Sequence, residues 1–450
     1  DIVEGSYSPE LTLEVTQQCL DTLPHDPRFF TTSVAVEDLE AVRVALGYGP
    51  LNDYGISYGS RVAQHFARRY PESTRSVIID GVVPPQLPLG PDIAIESQRA
   101  LDQVFTRCAE DEACATRFPE LASDFEQLQA ALVDAPALVD MPDPTTGARD
   151  VIEFGNEQLG AAVRLLLYNP RTVALLPLLI DAAAKGHYAP FAAQFQMAAA
   201  SLAEALSIGM HNAVMCTEDV PFIAWDSVDA DALDASYLGP LQLEAIRTMC
   251  SVWPQGVLDE GLREPLATDL PVLLLSGEAD PITPPAYAEM AAVELQKAWL
   301  LTGRNQGHGL APVGCMPRVI GRSESASVTS GSRGRRPSQR AKRPCRGFAP
   351  RGSFSFGVFS FMGLPPLPRR RPAPRRATDV PRLAPDRPAR SSSRRAAGGR
   401  SAAPGTAPAR RRAGPGTTGG SSCRRPRPRP AIPRPAGSAP RGRAVHARRR

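Results

Sequence analysis

The chain has 450 residues, of which 42% are apolar, 22% charged and 6% aromatic, and this is enough for one large or two ordinary domains with a hydrophobic core. Its net charge of +4 hides two unlike parts, because residues 1–320 hold 18 basic and 44 acidic residues whereas residues 321–450 hold 33 basic and three acidic ones. A basic, nucleic-acid-binding globule is thereby excluded, since the part able to fold is strongly acidic. No uninterrupted apolar run reaches ~18 residues, so no membrane span is expected.

Helices and strands are predicted to alternate over the first 90 residues. Apolar residues at helical spacing predict a helix over 31–46, and residues 51–56 predict a strand that leads into a second helix ending before Pro71. The β-branched run at 76–83 is typical of a buried parallel strand. This alternation favours an α/β sheet over a sandwich or a helical bundle.

The middle of the chain is predicted to be helical, with few strand signals. Ala- and Leu-rich helical patterns occur at Gln98–Phe105, Leu121–Leu132, Gln158–Leu167 and Phe191–Leu206. A strand pattern returns at 271–275, followed by a short apolar run at 298–301. We therefore expect a helical cap over 91–265, inserted between two parts of an α/β core at 1–90 and 266–320.

The pentapeptide Gly55-Ile56-Ser57-Tyr58-Gly59 has the G-x-S-x-G pattern of a nucleophile elbow. It lies at the end of a predicted strand and the start of a predicted helix, which is the context that the motif requires. We expect a turn so tight that side chains at Gly55 and Gly59 would collide with backbone, with the Ser57 hydroxyl above the sheet. The helix N-terminus and the Tyr58 N–H would stabilise developing negative charge.

A serine nucleophile needs a histidine base and a carboxylate that orients it, and both follow downstream. Asp280 comes after the strand PVLLL through SGEAD, and His308 lies in Gln-Gly-His-Gly after the next apolar run. The order Ser57, Asp280, His308 is that of the α/β hydrolases. These three residues are the candidate catalytic triad.

Other polar residues near these motifs are interpreted as structural. Asp80 also follows a strand and is an alternative acid, but we expect a turn residue before Pro84. Glu278 is expected to face solvent. Four histidines without a partner pattern are expected to be structural: His25, His65, His187 and His211.

Three segments in order resemble the secreted bacterial α/β-hydrolase peptidases, namely the tripeptidyl aminopeptidase and proline iminopeptidase relatives with a TAP-like C-terminal segment. The segments are NDYGISYGSRVAQHFARRYPESTRSVIIDGVVPP, PVLLLSGEADPITPP and GRNQGHGLAPVGCMPRVI. The resemblance covers about residues 10–320. It implies an α/β-hydrolase fold with a helical cap, release of N-terminal residues or short peptides from a peptide with a free N-terminus, no metal, no organic cofactor, and a secreted or periplasmic location.

The resemblance also implies roles for individual residues. Ser57 attacks the carbonyl, His308 transfers the proton, Asp280 orients His308, and the Tyr58 N–H supplies half of the oxyanion hole. The stretch Cys-Thr-Glu-Asp-Val-Pro-Phe at 216–222 is similar to a cap motif in which a carboxylate binds the substrate's amino group, so Glu218 is the candidate. The alternative is that Glu218 and Asp219 form a solvated helix start.

The cysteine spacing leaves the disulfides open at this point. Cys108 with Cys114, and Cys216 with Cys250, are the two candidate pairs, and a disulfide in either would indicate an oxidising compartment. In the family the second pairing is plausible. No close CxxC or histidine partner suggests a metal site instead.

Three departures from the family pattern bear on activity. The His-Gly-Gly-Pro-Gly-like loop that supplies the second oxyanion donor is expected upstream of Asp1, so we expect a sheet incomplete at its N-terminal side. Asp53 occupies a strand position that is usually apolar. From residue 321 the chain turns Arg- and Pro-rich, with 20 Pro in 130 residues, so 321–450 is expected to be disordered.

The abrupt change near residue 320 has two interpretations. The chain holds 48 Arg and 3 Lys, which indicates a GC-rich coding sequence. Out-of-frame translation of GC-rich codons gives a composition rich in Arg, Pro, Gly and Ala, so the change indicates a frameshift. The rival is a true basic tail that binds nucleic acid or an acidic surface. For the folded part, the expected function is a serine exopeptidase, with an esterase or an inactive fragment as alternatives.

Overall fold

A parallel sheet with helices on both faces forms the centre of the protein. The structure is a computed structural model that describes residues 8–144 and 146–329, with side chains described through residue 323. The strands are β1 (Leu51–Ile56), β2 (Thr74–Asp80), β3 (Ala137–Pro142), β4 (Arg149–Phe154), β5 (Thr268–Gly277) and β6 (Leu295–Gly303). The predicted α/β class is confirmed.

The helices match the periodic patterns of the sequence closely. In the described part of the chain they are α1 (Pro9–Thr22), α2 (Thr32–Ala45), α3 (Tyr58–Arg69), α4 (Asp92–Glu110), α5 (Glu112–Arg117), α6 (Leu121–Asp134), α7 (Asn156–Leu167), α8 (Pro170–Val173), α9 (Leu176–Ala184), α10 (Ala189–Ala205), α11 (Ile208–Val214), α12 (Ala230–Asp234), α13 (Leu241–Cys250), α14 (Pro285–Ala291) and α15 (Met316–Thr329). Helix α15 continues past residue 321, where the tail was expected to begin, and residues 330–450 lie outside the described residues.

The main sheet has the strand order β1-β2-β5-β6, and all neighbouring pairs are parallel. Alternate residues of β2 and β5 point to opposite faces, as the two-residue period of a strand requires. Val77 and Ile79 pack with α3 and α14 on one face, while Ile78 and Leu275 pack with α15 on the other. Burial on both faces explains why these strands read as continuous apolar runs.

The cap region between β2 and β5 has a hydrophobic core of its own. It is built from α4, α6, α7, α9 and α10, with large buried side chains such as Leu101, Leu159 and Phe191. It also contains the antiparallel hairpin β3-β4, which the sequence analysis did not predict. Leu138 and Val151 on its exposed side are apolar, so the polar-apolar alternation that signals a strand is masked.

Both candidate cysteine pairs are disulfides in the structure. One joins Cys108 to Cys114 at the α4–α5 corner, and the other joins Cys216 to Cys250 between the turn after α11 and the end of α13. The second bridge ties the segment that contains Glu218 to a neighbouring helix. Among the helices of the described part, none has both the length and the apolar character needed to cross a bilayer.

Asp53 is a buried carboxyl in the middle of β1. It is 8% exposed, and its hydrogen-bond partner is the Thr74 hydroxyl, which donates over a long 3.5 Å. Burial raises the pKa of Asp53 to about 7. The unfolded chain ionises this group near pH 3.9, so folding is penalised progressively as the pH rises from about 4 to about 7.

We expect Asp53→Asn to stabilise the protein at alkaline pH. The amide resembles the protonated acid in shape and carries no charge to desolvate, so the penalty of about 1.4 kcal/mol for each pKa unit is removed. Thermal unfolding of wild type and variant from about pH 4 to about pH 8 measures this, and the variant's gain in Tm should grow as the pH rises. A gain that does not change with pH would show that the charge of Asp53 is not the cause.

Candidate active site

The loops that follow the four parallel strands meet at one edge of the sheet. Ile56 pairs with Asp80, Asp80 with Leu275, and Leu275 with Leu301, so β1 and β2 end level with each other and β5 and β6 run two residues further at the same edge. Ligands of open α/β sheets bind in the crevice outside these ends. The candidate residues Ser57, Asp280 and His308 follow β1, β5 and β6, and therefore lie at this edge.

Ser57 occupies the strained turn that the G-x-S-x-G pattern predicts. Its backbone has φ 55° and ψ −127°, a conformation that non-glycine residues rarely adopt. A Cβ on Gly55 would lie 2.0 Å from the carbonyl oxygen of Gly59. The expected collision is thus real at Gly55 but wrong at Gly59, where a Cβ would meet nothing within 4 Å, because the Gly59 backbone is itself the obstacle.

Asp280 and His308 are joined by a hydrogen bond of 2.8 Å between Oδ2 and Nδ1. Asp280 is fully buried, and its carboxylate also accepts hydrogen bonds from the backbone of Ile282 and from the backbone and hydroxyl of Thr283. Burial opposes ionisation, but the charge of His308 and these donors hold the pKa of Asp280 below its ordinary value. The carboxylate is thus held ionised beside the imidazole.

The same pair sets the basicity of His308. Burial alone would lower the pKa of the imidazole, but the charge and hydrogen bond of Asp280 hold it above the ordinary histidine value. Because Nδ1 is bonded to Asp280, Nε2 is the nitrogen left to accept a proton from a nucleophile. This is the arrangement of base and orienting acid that serine activation requires.

Ser57 and His308 contact the same dipeptide at the end of β2. The Ser57 N–H donates to the Asp80 carbonyl over 2.9 Å. A Cβ on Gly81 would lie 2.8 Å from Cε1 of His308, so the imidazole packs directly against this glycine. Gly81 has φ +58°, which glycine adopts without strain.

The cap covers the other side of His308 through Tyr168, at the end of α7. The Tyr168 ring meets the imidazole edge-on, with ring centroids 5.1 Å apart. The backbone N–H of His308 donates to the backbone carbonyl of Tyr168 over 2.8 Å. Tyr168 could not be predicted from the sequence, because no local motif marks a residue that reaches the site from the cap.

Glu218 is completely buried beside the nucleophile helix. Its Oε1 accepts from the Thr32 N–H over 2.7 Å and its Oε2 from the Thr32 hydroxyl over 2.8 Å, and the Tyr58 hydroxyl lies 2.7 Å from the same Thr32 oxygen. Burial raises the pKa of Glu218 despite these donors. Tyr58 itself begins α3, where backbone N–H groups have no acceptor within the helix.

Asp219 forms a buried ion pair with Arg61 of α3. Two guanidinium nitrogens of Arg61 lie 2.9 and 3.0 Å from the two carboxylate oxygens, and neither side chain is more than 1% exposed. Glu218 and Asp219 share the π-helical turn Met215–Asp219, a type of turn often found at functional sites. The alternative that these two residues form a solvated helix start is wrong, because both are fully buried.

The interpretation of Asp80 as a turn residue is also wrong. Asp80 is the last residue of β2 and fully buried, and its carboxylate accepts from the backbone N–H groups of Leu310 and Ala311. It does not occupy Nδ1 of His308, which is bonded to Asp280. Among the other histidines, His65 pairs with Asp259 at 2.8 Å, whereas His25 and His187 are exposed.

Glu278 is half-buried rather than solvent-facing, and it accepts a hydrogen bond from the backbone of Asn305. Arg99 of α4 donates to the carbonyls of Glu278 and Asp280 over 3.1 and 3.0 Å and so supports the loop that carries the acid. Within residues 8–144 and 146–329, no cluster of three or more His, Cys, Asp or Glu side chains could hold a metal ion.

Comparison with known proteins gives matches to hydrolases. Residues 235–321 match the family model described as TAP-like protein. A segment of 87 residues is 36% identical to Serine protease Hip1 of Mycobacterium tuberculosis, covering 19% of this chain and 16% of that protein. The resemblance to the TAP-like α/β-hydrolase peptidases is confirmed.

A second curated relative is also named as a peptidase. A segment of 114 residues is 31% identical to Tripeptidyl aminopeptidase of Streptomyces lividans, covering 22% of this chain and 20% of that protein. Among solved structures, Proline iminopeptidase of Mycobacterium smegmatis aligns with 68% of this chain and 76% of its own, at 16% identity and a TM-score of 0.30. The matched segments span a fifth or less of the two named curated relatives. The strained serine turn between β1 and α3 is the nucleophile elbow that is typical of the α/β-hydrolase fold.

Gly81→Ala is expected to displace the imidazole of His308. The added methyl group would lie 2.8 Å from Cε1 and 3.0 Å from Nδ1, so the ring would have to shift from its position beside Gly81. A displacement of about 1 Å in such a site costs about 100-fold in rate. The rate at which a fluorophosphonate labels the protein measures this loss.

Gly239→Ala is the matched control for backbone strain. Gly239 has φ +60°, close to that of Gly81, but a Cβ there meets nothing within 4 Å. We expect this variant to label at the wild-type rate. Equal rates for the two alanine variants would mean that contact with His308 is not what Gly81 provides.

Proposed function

We propose that this chain is a serine exopeptidase that releases N-terminal residues or short peptides through an acyl-enzyme. The observation that carries the proposal is the 2.8 Å hydrogen bond between Asp280 and Nδ1 of His308, at the sheet edge where Ser57 also lies. A buried carboxylate that fixes an imidazole beside a strained serine turn has a clear chemical use in nucleophilic catalysis.

In the proposed reaction, the Ser57 hydroxyl attacks the substrate carbonyl while Nε2 of His308 takes its proton. The tetrahedral intermediate collapses when His308 returns that proton to the leaving amine, which departs and leaves an ester on Ser57. Water then attacks this ester with His308 again as the base, and the acid product leaves. Asp280 stays ionised throughout and stabilises the imidazolium form of His308.

Negative charge on the carbonyl oxygen is proposed to be stabilised at the start of α3. The Tyr58 N–H is in the first helical turn, where the backbone N–H groups and the helix dipole favour an anion. One donor of this kind is worth about 100- to 1,000-fold in rate. The Tyr58 hydroxyl, by contrast, lies 2.7 Å from the Thr32 hydroxyl oxygen and so points toward Glu218.

Glu218 is proposed to bind the free amino group of the substrate. An ionised carboxylate offers about four acceptor positions, and Thr32 uses two of those of Glu218. Asp219 is paired with Arg61, so Glu218 is the carboxylate of this turn that an ammonium can bind. A bound ammonium would lower the raised pKa of Glu218 and keep it ionised.

We also propose that the protein works in an oxidising compartment, by secretion or in a periplasm. The two disulfides, Cys108–Cys114 and Cys216–Cys250, support this, because such bonds persist outside the reducing cytosol. Mass spectrometry of the protein isolated from its native host under thiol-blocking conditions would test it. Free thiols at all four positions would contradict the proposal.

The proposed activity predicts a preference for substrates with a free N-terminus. A peptidyl anilide with a free amino group, its N-acetylated twin and a p-nitrophenyl ester should be compared for wild type, Ser57→Ala and Glu218→Gln. Wild type should favour the free anilide over the acetylated one, and Ser57→Ala should lose at least about 1,000-fold on all three. Ser201→Ala, an exposed serine on α10, is the control and should keep full activity.

Glu218→Gln should reduce the preference for the free amino group by about 30-fold, because the variant loses an ion pair with the substrate. The amide fits the site, since its oxygen can accept from the Thr32 N–H while its NH₂ group donates to the Thr32 hydroxyl. An unchanged preference would show that Glu218 only holds Thr32. Hydrolysis of the ester but of neither anilide would favour the alternative that the chain is an esterase. If Ser57→Ala were as active as wild type, Ser57 would not be the nucleophile.

A further inference from the structure

Asp80 is a fully buried carboxylate that the proposed reaction does not use. Leu310 donates its backbone N–H to both carboxylate oxygens over 2.8 Å, and Ala311 donates its own to Oδ2 over 2.7 Å. The Tyr54 hydroxyl donates to Oδ2 over 3.1 Å. The backbone that Asp80 binds begins two residues after His308.

The hydrogen bonds of Asp80 are needed to compensate a large desolvation cost. In the part of the chain that the structure describes, no Lys, Arg or His nitrogen lies within ion-pair distance of this carboxylate. The hydrogen-bond donors to Asp80 are two backbone N–H groups and the hydroxyl of Tyr54. A carboxylate on three such donors can be kept in an apolar setting, but any movement of the donors leaves a buried charge unsatisfied. Asp80 thus resists displacement of the chain segment that follows His308.

The segment around His308 is held at three points. Before the histidine, the Gln306 carbonyl accepts from the backbone N–H of Ala279 over 2.9 Å. At the histidine, the backbone N–H of His308 donates to the Tyr168 carbonyl. After the histidine, Asp80 holds the next two amides. Asp80 is also covalently joined to Gly81, which contacts the imidazole ring.

We propose that Asp80 is a positioning residue that fixes the backbone after His308 and thereby keeps the imidazole against Gly81 and bonded to Asp280. This inference rests on the function proposed above. Asp80 is not the triad acid in this proposal. The oxygens of Asp80 accept from backbone amides, and Nδ1 of His308 is bonded to Asp280.

Asp80 also acts on His308 through its charge. The charged groups that influence the imidazole are Asp280 after β5, Asp80 at the end of β2 and Arg164 on α7. Burial lowers the pKa of His308, the two carboxylates raise it, and Arg164 lowers it. Removal of the Asp80 charge should therefore lower the pKa of His308, so that the base form persists to lower pH.

Asp80→Asn is the direct test, performed on the full chain with a fluorophosphonate that needs no known substrate. An asparagine offers only one acceptor oxygen, and its NH₂ group would face an amide donor of Leu310 or Ala311. We expect labelling to slow by about 10- to 100-fold at neutral pH. We also expect the acidic limb of the pH–rate profile to move to lower pH, which a purely structural role would not cause.

Asp53→Asn is the matched control, because Asp53 is a buried aspartate on the neighbouring strand, and its carboxyl accepts a hydrogen bond from Thr74 and not from the histidine loop. This variant should label at the wild-type rate with an unshifted acidic limb. If Asp80→Asn behaves like Asp53→Asn in both rate and pH profile, the inference about Asp80 is overturned.

Tyr54→Phe keeps the test decisive if Asp80→Asn does not fold. It removes one donor to Asp80 and leaves both amide contacts in place, so a smaller slowing in the same direction is expected. A wild-type rate in Tyr54→Phe, with Asp80→Asn unfolded, would also overturn the inference. Failure of the proposed nucleophile is distinguishable, because Ser57→Ala would then label as fast as wild type, and failure of the exopeptidase proposal alone would appear in the substrate comparison and leave the labelling unchanged.

Discussion

The parallel pairing of β2 with β1 on one side and β5 on the other is the constraint on which the site depends. It aligns Ile56, Asp80 and Leu275 at one edge, so that each strand delivers its next residues into the same crevice. The nucleophile turn, the glycine under the imidazole and the acid loop are therefore neighbours because of strand register. Short loops after these strands are therefore enough to bring their side chains together at this edge.

Buried carboxylates then fix the loops that strand register brings close. Asp280 holds the imidazole of His308, Asp80 holds the backbone after it, and Asp219 joins the cap to the nucleophile helix through Arg61. Each is fully buried, and each is bonded to at least one residue that another strand, helix or loop supplies. A desolvated charge has few alternative partners, so it defines the position of its donors more strictly than an apolar contact does.

The sequence predicted the parts of the site that follow from local pattern. Ser57, Asp280 and His308 each come after a recognisable apolar strand, and the strand bounds at β1 were predicted to the residue. The contact of Asp80 with the backbone after His308 could not be predicted, because Leu310 lies 230 residues away. Tyr168 and Thr32 were missed for the same reason. Glu218 was found by resemblance, but its burial depends on how the turn Met215–Asp219 packs against α2.

The proposed catalysis requires Ser57 and His308 to act as one unit. Its most direct test is kcat/KM on the free-terminus anilide for Ser57→Ala, His308→Ala and the double variant, each checked for thermal unfolding. Residues that act as a unit are strongly non-additive, so the double variant should lose no more activity than either single variant. Losses that multiply in the double variant, or a His308→Ala variant with wild-type activity, would contradict the account.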